Sequence, residues 1–155
     1  MRKIALSISE IKDIEKREFL RLGNSFKLME QAGKACAKQI TKIYKKNRFI
    51  VICGPGNNGG DGLILSSCLN EHGKEVDLYC LGKNNYKGDS LKAYKKNKLK
   101  KKPLEELNTK QDAVIVDALF GIGLNKKIEG IFKDCVNKIN NSNLKVIAVD
   151  IPSGI

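Results

Sequence analysis

The sequence predicts a three-layer α/β sandwich, a mostly parallel sheet with helices on both faces. Two observations carry that expectation. The strand candidates are unbroken apolar runs rich in Val and Ile, as in FIVIC at 49–53 and AVIVDA at 113–118, where a half-exposed strand would alternate. Segments of helical period lie between the strands, so neighbouring strands join through crossovers, which are right-handed in nearly all known cases.

Each element follows from local pattern. Ser7 or Ser9 caps a first helix whose apolar residues Ile8, Ile11 and Ile14 recur every third position, continue through Phe19 and Leu22, and stop at Gly23. Ser25 caps a second, with Met29, Ala32, Cys36, Ile40 and Ile43 on one face at 3.6 residues per turn. Strand one is 49–53, its helix 60–72, strand two 75–81, and a helix covers 87–97. Residues 99–104, rich in Lys and carrying Pro103, suit a short strand at a protected sheet edge. Strand four is 113–118, the next helix 131–139 with Ile131, Cys135 and Ile139 facing inward, and the last strand 145–150.

Composition narrows the function classes. An apolar fraction of 41% fits one soluble domain, no run approaches the roughly 20 residues that span a bilayer, and no signal-peptide pattern opens the chain. A cytoplasmic protein is expected. The five cysteines are odd in number and scattered, which reads as free thiols in a reducing compartment. With no CxxC and only His72, a zinc site or a Ser/His/Asp triad has almost no material, and His72 reads as a helix-end residue. The net charge of +12 raises nucleic acid as a partner. The lysines are spread along the chain, however, and the run at 94–102 lacks the Arg and interleaved aromatics that read or stack on bases, so none is expected. A positive field would instead draw an anionic small molecule.

The segment GPGNNGGDG at 54–62 follows strand one and opens the next helix. Glycine there permits close backbone approach, and the N–H groups of a helix start attract phosphate. Gly54, Gly56 and Gly59 satisfy GxGxxG, but the acids Glu75 and Asp77 fall at the start of strand two, whereas the dinucleotide fingerprint needs its acid at the end. The phosphate-loop reading fails because no Gly-Lys-Ser/Thr follows. If the strand order is 3-2-1-4-5, the reversal between strands one and four brings together the loops 54–62, 117–127 and 150–154.

Four segments in this order, LMEQAG at 28–33, GPGNNGGDG at 54–62, DALFGIGL at 117–124 and VDIPSG at 149–154, closely resemble the NAD(P)H-hydrate epimerase family, also called the YjeF N-terminal domain. The resemblance spans essentially the whole chain and implies a Rossmann-like fold. It also implies an isomerase of metabolite repair, interconverting the R and S forms of hydrated NADH and NADPH so that a dehydratase, often fused to this domain, can restore the cofactor. Carried over by motif, Asn57, Asn58, Gly59, Gly60 and Asp61 would contact the hydrated dinucleotide, with Gly121, Ile122, Gly123, Leu124, Asn125, Lys126, Lys127 and Asp150 closing around it. A potassium ion would be held by Asn58, Asp117 and Ser153, which offer the oxygen ligands a hard cation takes. Asp150 is the expected proton-handling residue, its pKa tuned upward by partial desolvation, with Asp61 second.

Two positions depart from the family pattern: Ile122 stands where Thr is frequent and Lys126 where Arg is. Family members also continue past Asp-Ile-Pro-Ser-Gly. Residues 1–155 are therefore expected to form a single domain lacking its last strands: either they are a fragment of a longer chain, or the remaining strands come from a separate chain, or a partner in a homodimer covers the open edge. Two other functions stay open at this point, a non-catalytic nucleotide-binding or scaffolding domain and a Rossmann-type oxidoreductase.

Overall fold

The structure, a computed structural model, describes residues 7–154. Five strands, β1 (Arg48–Cys53), β2 (Glu75–Cys80), β3 (Lys101–Lys102), β4 (Val114–Ala118) and β5 (Lys145–Ala148), form one parallel sheet in the order β3-β2-β1-β4-β5. The expected order is thus observed, with its reversal between β1 and β4. Five helices complete the fold: α1 (Ile8–Leu22), α2 (Ser25–Ile43), α3 (Asn57–Glu71), α4 (Gly88–Lys96) and α5 (Gly130–Asn140). Short 3-10 turns lie at Lys83–Asn85 and Leu104–Glu106.

Alternation along β1 builds the two cores. Phe49, Val51 and Cys53 join α2, α3 and α4 on one face, while Ile50 and Ile52 join Cys135 and Ile139 of α5 on the other. α3 is the central helix. Leu63, Ile64, Leu65, Cys68 and Leu69 are all buried, because the sheet covers one side of α3 and other helices the rest. Its C-terminal end meets His72, whose Nδ1 lies 2.6 Å from Cys68 O, the helix-end role expected of it. The five cysteines are free thiols. Among the described residues no helix is long and apolar enough to cross a membrane.

Four local expectations need correction. The cap of α2 is Asn24, whose Oδ1 accepts from Phe26 N (2.9 Å), and Ser25 is already helical. The buried face of α2 is Met29, Gly33, Ala37 and Ile40, so Ala32 and Ile43 are exposed. The cause is Gly33, where an added Cβ would stand 2.6 Å from Ile64 Cβ; α3 crosses α2 at that glycine and turns the face toward it. On α5, Cys135 and Ile139 are buried but Ile131 is exposed, and Phe132 packs inward against Phe120 instead. Most consequential is α3, which begins at Asn57, three residues earlier than its glycines suggest.

Candidate functional site

Only Gly54, Pro55 and Gly56 form the turn after β1; Asn57, Asn58, Gly59 and Gly60 are the first turn of α3. Glycine and asparagine are poor helix formers, so tertiary packing overrides propensity here. A side chain on Gly59 would collide with Gly54 O, and one on Gly54 with Leu119 O. An added Cβ on Gly60 would lie 2.6 Å from Met29 Sδ, and one on Gly62 2.5 Å from Ala118 Cβ. These glycines draw the helix start down onto β4 and α2. The N-cap is Gly56, with no side-chain capping bond, which leaves the first N–H groups of α3 facing out of the sheet's carboxyl end.

Asn58 is half-buried, and both of its amide atoms, Nδ2 and Oδ1, are buried without a hydrogen-bond partner. Buried polar groups are nearly always paired, so this one points to something the fold does not itself supply. Beside it lies Gly121: a Cβ there would come within 3.5 Å of Asn58 Cβ and would run into Asp150 Oδ2. Asp150 has a left-handed backbone (φ 78), the one non-glycine residue with positive φ among those described. Its Oδ2 accepts from Ile122 N at 2.8 Å. Aspartate tolerates this conformation better than most residues, yet it costs free energy and is kept where the surroundings impose it.

A second cluster adjoins the first. Asp117, buried at the end of β4, accepts at Oδ1 from Leu119 N (3.1 Å) and from Ser153 Oγ (2.8 Å), and at Oδ2 from Ser153 N (2.8 Å). Ser153 Oγ in turn accepts from Phe120 N at 3.1 Å. Asp117 therefore ties the loop after β5 to the loop after β4. With three donors on a carboxylate, and one donor on a hydroxyl, both still have lone pairs to give.

The sequence-predicted residues fare differently. Asn58, Gly121, Ile122 and Asp150 are brought together, and Asp117 and Ser153 beside them. Asn57 is exposed at the helix start. Gly59 and Gly60 are buried in packing. Asp61 is half-buried; burial pushes the Cys36 thiol pKa up and the Asp61 charge adds to it, while at Cys53 burial and then Cys80 do most of the raising and Asp61 less. Leu124 N donates to Gly121 O (3.1 Å), closing a turn, and Gly123, Leu124, Asn125, Lys126 and Lys127 form an exposed arm. The expected desolvation of Asp150 is not provided by the protein: the residue is exposed, and what holds it is the Ile122 N–H.

Sequence reasoning missed Tyr86 and Ser90, whose hydroxyls donate to Cys53 O (3.2 Å) and Pro55 O (2.7 Å). A Tyr just before a helix and a Ser in its first turn carry no signal that their partners lie 33 and 35 residues away. The doubt over an ordinary dinucleotide fingerprint is supported by the ion pairs of its candidate acids. Glu75 pairs with Arg48 and Asp77 with Lys102, away from the carboxyl ends of the strands.

Comparison with known proteins bears on the family and the fold. The family described as YjeF-related protein N-terminus matches residues 25–155. The NAD(P)H-hydrate epimerase of Entamoeba histolytica is 39% identical over 137 residues, covering 82% of this chain and 59% of that protein. A bifunctional NAD(P)H-hydrate repair enzyme Nnr of Thermofilum pendens is 34% identical, covering 96% of this chain and 31% of that protein. The crystal structure of yeast ynu0, YNL200c, superposes with a TM-score of 0.74 at 25% identity, over 97% of this chain and 72% of the yeast one. The chain thus spans less than two thirds of the length of these two sequence relatives.

Proposed function

Because the chain belongs to the YjeF-related protein N-terminus family, we propose that its site interconverts the R and S forms of hydrated NADH and NADPH. The observation that carries this reading is the convergence of Asn58, Gly121, Ile122 and Asp150 at the carboxyl ends of β1, β4 and β5, where open α/β sheets bind ligands. The uncapped N-terminus of α3 would receive the diphosphate, assisted by Asn57, Asn58 and the N–H of Gly59, while the arm from Gly123 to Lys127 folds over the dinucleotide.

The hydrated ring carries a hydroxyl on a carbon next to nitrogen. Its configuration is lost either by expulsion of water to an iminium or by ring opening to an aldehyde, followed by return on the other face. Both routes move one proton, and we assign it to Asp150; its hydrogen bond from Ile122 N–H and its left-handed backbone support this reading. Bound substrate would supply the desolvation that the chain itself does not. Asp61 is the second candidate.

Asn58, Asp117 and Ser153 would hold potassium. They fit it: the Asn58 amide oxygen is buried without a partner, and the Asp117 carboxylate and Ser153 hydroxyl adjoin with lone pairs to spare. Such an ion would neutralise part of the diphosphate charge. Five free thiols suit a cytoplasmic setting, and a homodimer is the assembly we infer. The dehydratase activity that consumes the S form is joined to the epimerase in bifunctional relatives such as the Thermofilum protein, and we infer the same functional partnership here.

The test is direct. The protein is incubated with an R/S mixture of hydrated NADH and an S-specific dehydratase, and consumption of the R form is followed. R should disappear faster than it does spontaneously, and Asp150→Asn should slow this by about 100-fold or more, within the range for a lost acid–base group. Retained nucleotide binding without acceleration would favour a scaffold, and full activity in Asp150→Asn would move the proton role elsewhere.

A further inference from the structure

Beyond the residues that would touch substrate, the glycine turn at 54–56 has to be held in place by something, and its own sequence is unsuited to the task. Gly59, Gly60 and Gly62 fall within the first six residues of α3, each costing up to about 1 kcal/mol of helix propensity relative to Ala, and no side chain caps the helix. Order at this helix start must come from outside it. Four hydrogen bonds reach the turn and the strand end before it from other elements. Gly54 N donates to Ala118 O of β4 (3.0 Å), Leu81 N (2.9 Å) and Tyr86 Oη (3.2 Å) both donate to Cys53 O, and Ser90 Oγ donates to Pro55 O (2.7 Å).

We propose that Tyr86 and Ser90 are positioning residues for the site, fixing the 54–56 turn and through it the first turn of α3 and the direction of the Asn58 amide. This rests on the reading of the site given above. Both side chains are buried, at 4% and 2% exposure; Tyr86 Oη is held toward Cys53 O, and Ser90 Oγ lies 2.7 Å from Pro55 O and 2.8 Å from Lys87 O of its own helix start, bridging the two. Burial, followed by the Cys80 and Cys53 thiols, pushes the Tyr86 pKa far up, so the phenol remains a donor at neutral pH. Tyr86 is further wedged against Tyr94, ring centroids 4.7 Å apart. Ser90 reaches Pro55 because Gly60 has no side chain: a Cβ there would stand 3.3 Å from Ser90 Cα. Gly60 and Ser90 form one device, a helix start left open so that a hydroxyl from α4 can grip the turn preceding it.

The experiment compares Tyr86→Phe and Ser90→Ala with the control Tyr79→Phe in the full chain. The control removes a like bond, Tyr79 Oη to Glu106 O (3.0 Å), on the opposite face of the sheet. Amide hydrogen exchange is measured at residues 60–63, the first hydrogen-bonded amides of α3, and in α5, together with the thermal midpoint and the potassium concentration that half-saturates epimerisation. Each of the two variants should speed exchange at 60–63 by about five- to tenfold relative to the control, the scale of one lost hydrogen bond, with α5 unchanged. The half-saturating potassium concentration should rise by a similar factor while the thermal midpoint falls no further than in Tyr79→Phe. Exchange that rises evenly through the chain, or no more at 60–63 than in the control, overturns the proposal. If the parent protein shows no epimerisation, the proposed function falls, and the exchange result still decides the positioning role.

Discussion

Around the amino ends of the strands, charges are answered by charges. Arg48 meets Glu75 at 2.6 Å and donates to Gln111 at 2.7 Å, Lys46 meets Asp112, and Asp77 is held by Lys102 (2.6 Å) and Gln111 (3.0 Å). At the carboxyl ends of the same sheet, Asp150 sits on a left-handed backbone with one N–H partner, and the half-buried Asn58 has both amide atoms buried and neither paired. The first group is built mostly from long Lys, Arg, Glu and Gln side chains that reach one another across strands, the second from short Asn, Asp and Ser beside backbone termini, which depend on the backbone for their partners. Local rules tend to be broken where function asks for it, and the fold then needs close packing nearby to hold the exception in place.

The sharpest way to break that comparison is at the packing. Gly59→Ala would drive a methyl group into Gly54 O, which neither backbone can yield without unseating α3 from β4; a loss of about 3 kcal/mol or more is expected by denaturant unfolding. Gly56→Ala is the companion. Its φ of −83 suits alanine and nothing lies within 4 Å of the added Cβ, so the change should stay within about 0.5 kcal/mol. Equal costs at the two glycines would mean that the helix start is loosely held and that close approach is not what selects glycine.

Asn58→Leu is a smaller and more telling change. An unpaired buried amide costs roughly 1–3 kcal/mol, so a leucine of similar size should leave stability in potassium-free buffer unchanged or raise it by about 1 kcal/mol. Potassium should raise the thermal midpoint of the parent protein and not of the variant. Destabilisation comparable to that of a core deletion would make the amide a folding group and weaken the ion site.

These predictions also mark how far the sequence could be read. The parallel sheet with helices on both faces was legible, because continuous Val/Ile runs and helical spacing follow directly from burial on two faces; the convergence of three loops followed only once the common 3-2-1-4-5 order was supposed, and that order is observed. The start of α3 was not: Gly and Asn argue for a loop on propensity, and only the contacts with Gly54 O, Met29 and Ala118 make a side-chain-free helix turn favourable. The face of α2 was misread for a related reason. Gly33 adds nothing to a hydrophobic pattern, yet it is where the two helices cross. Asn58, Asp117, Asp150 and Ser153 were found by motif, but the left-handed backbone of Asp150 and the grip of Tyr86 and Ser90 depend on distances between segments that no local pattern encodes.

The smallest expected effect tests the satisfied end. Burial raises the Asp77 carboxyl, but hydrogen bonds from Lys102 and Gln111 outweigh this and leave it below its ordinary value, while the same bond to Asp77 raises Lys102. A carboxyl lowered in the folded state stabilises fully above its unfolded pKa, about 3.9, and that contribution fades as pH falls through the folded value. An amine raised in the folded state stabilises fully below its unfolded pKa, about 10.4, and its share is lost as pH climbs past the folded value. Between those limits the pair should contribute a flat increment, and solvent access at Lys102 keeps it to about 0.2–1 kcal/mol. Asp77→Asn should therefore lower stability at pH 7 by that amount and converge with the parent protein near pH 2. Because its site lies at the other end of β2 from the glycine turn, epimerisation should be untouched; a loss of rate at pH 7 would show that the two ends of the sheet are coupled and that the contrast between them is not one of independent parts.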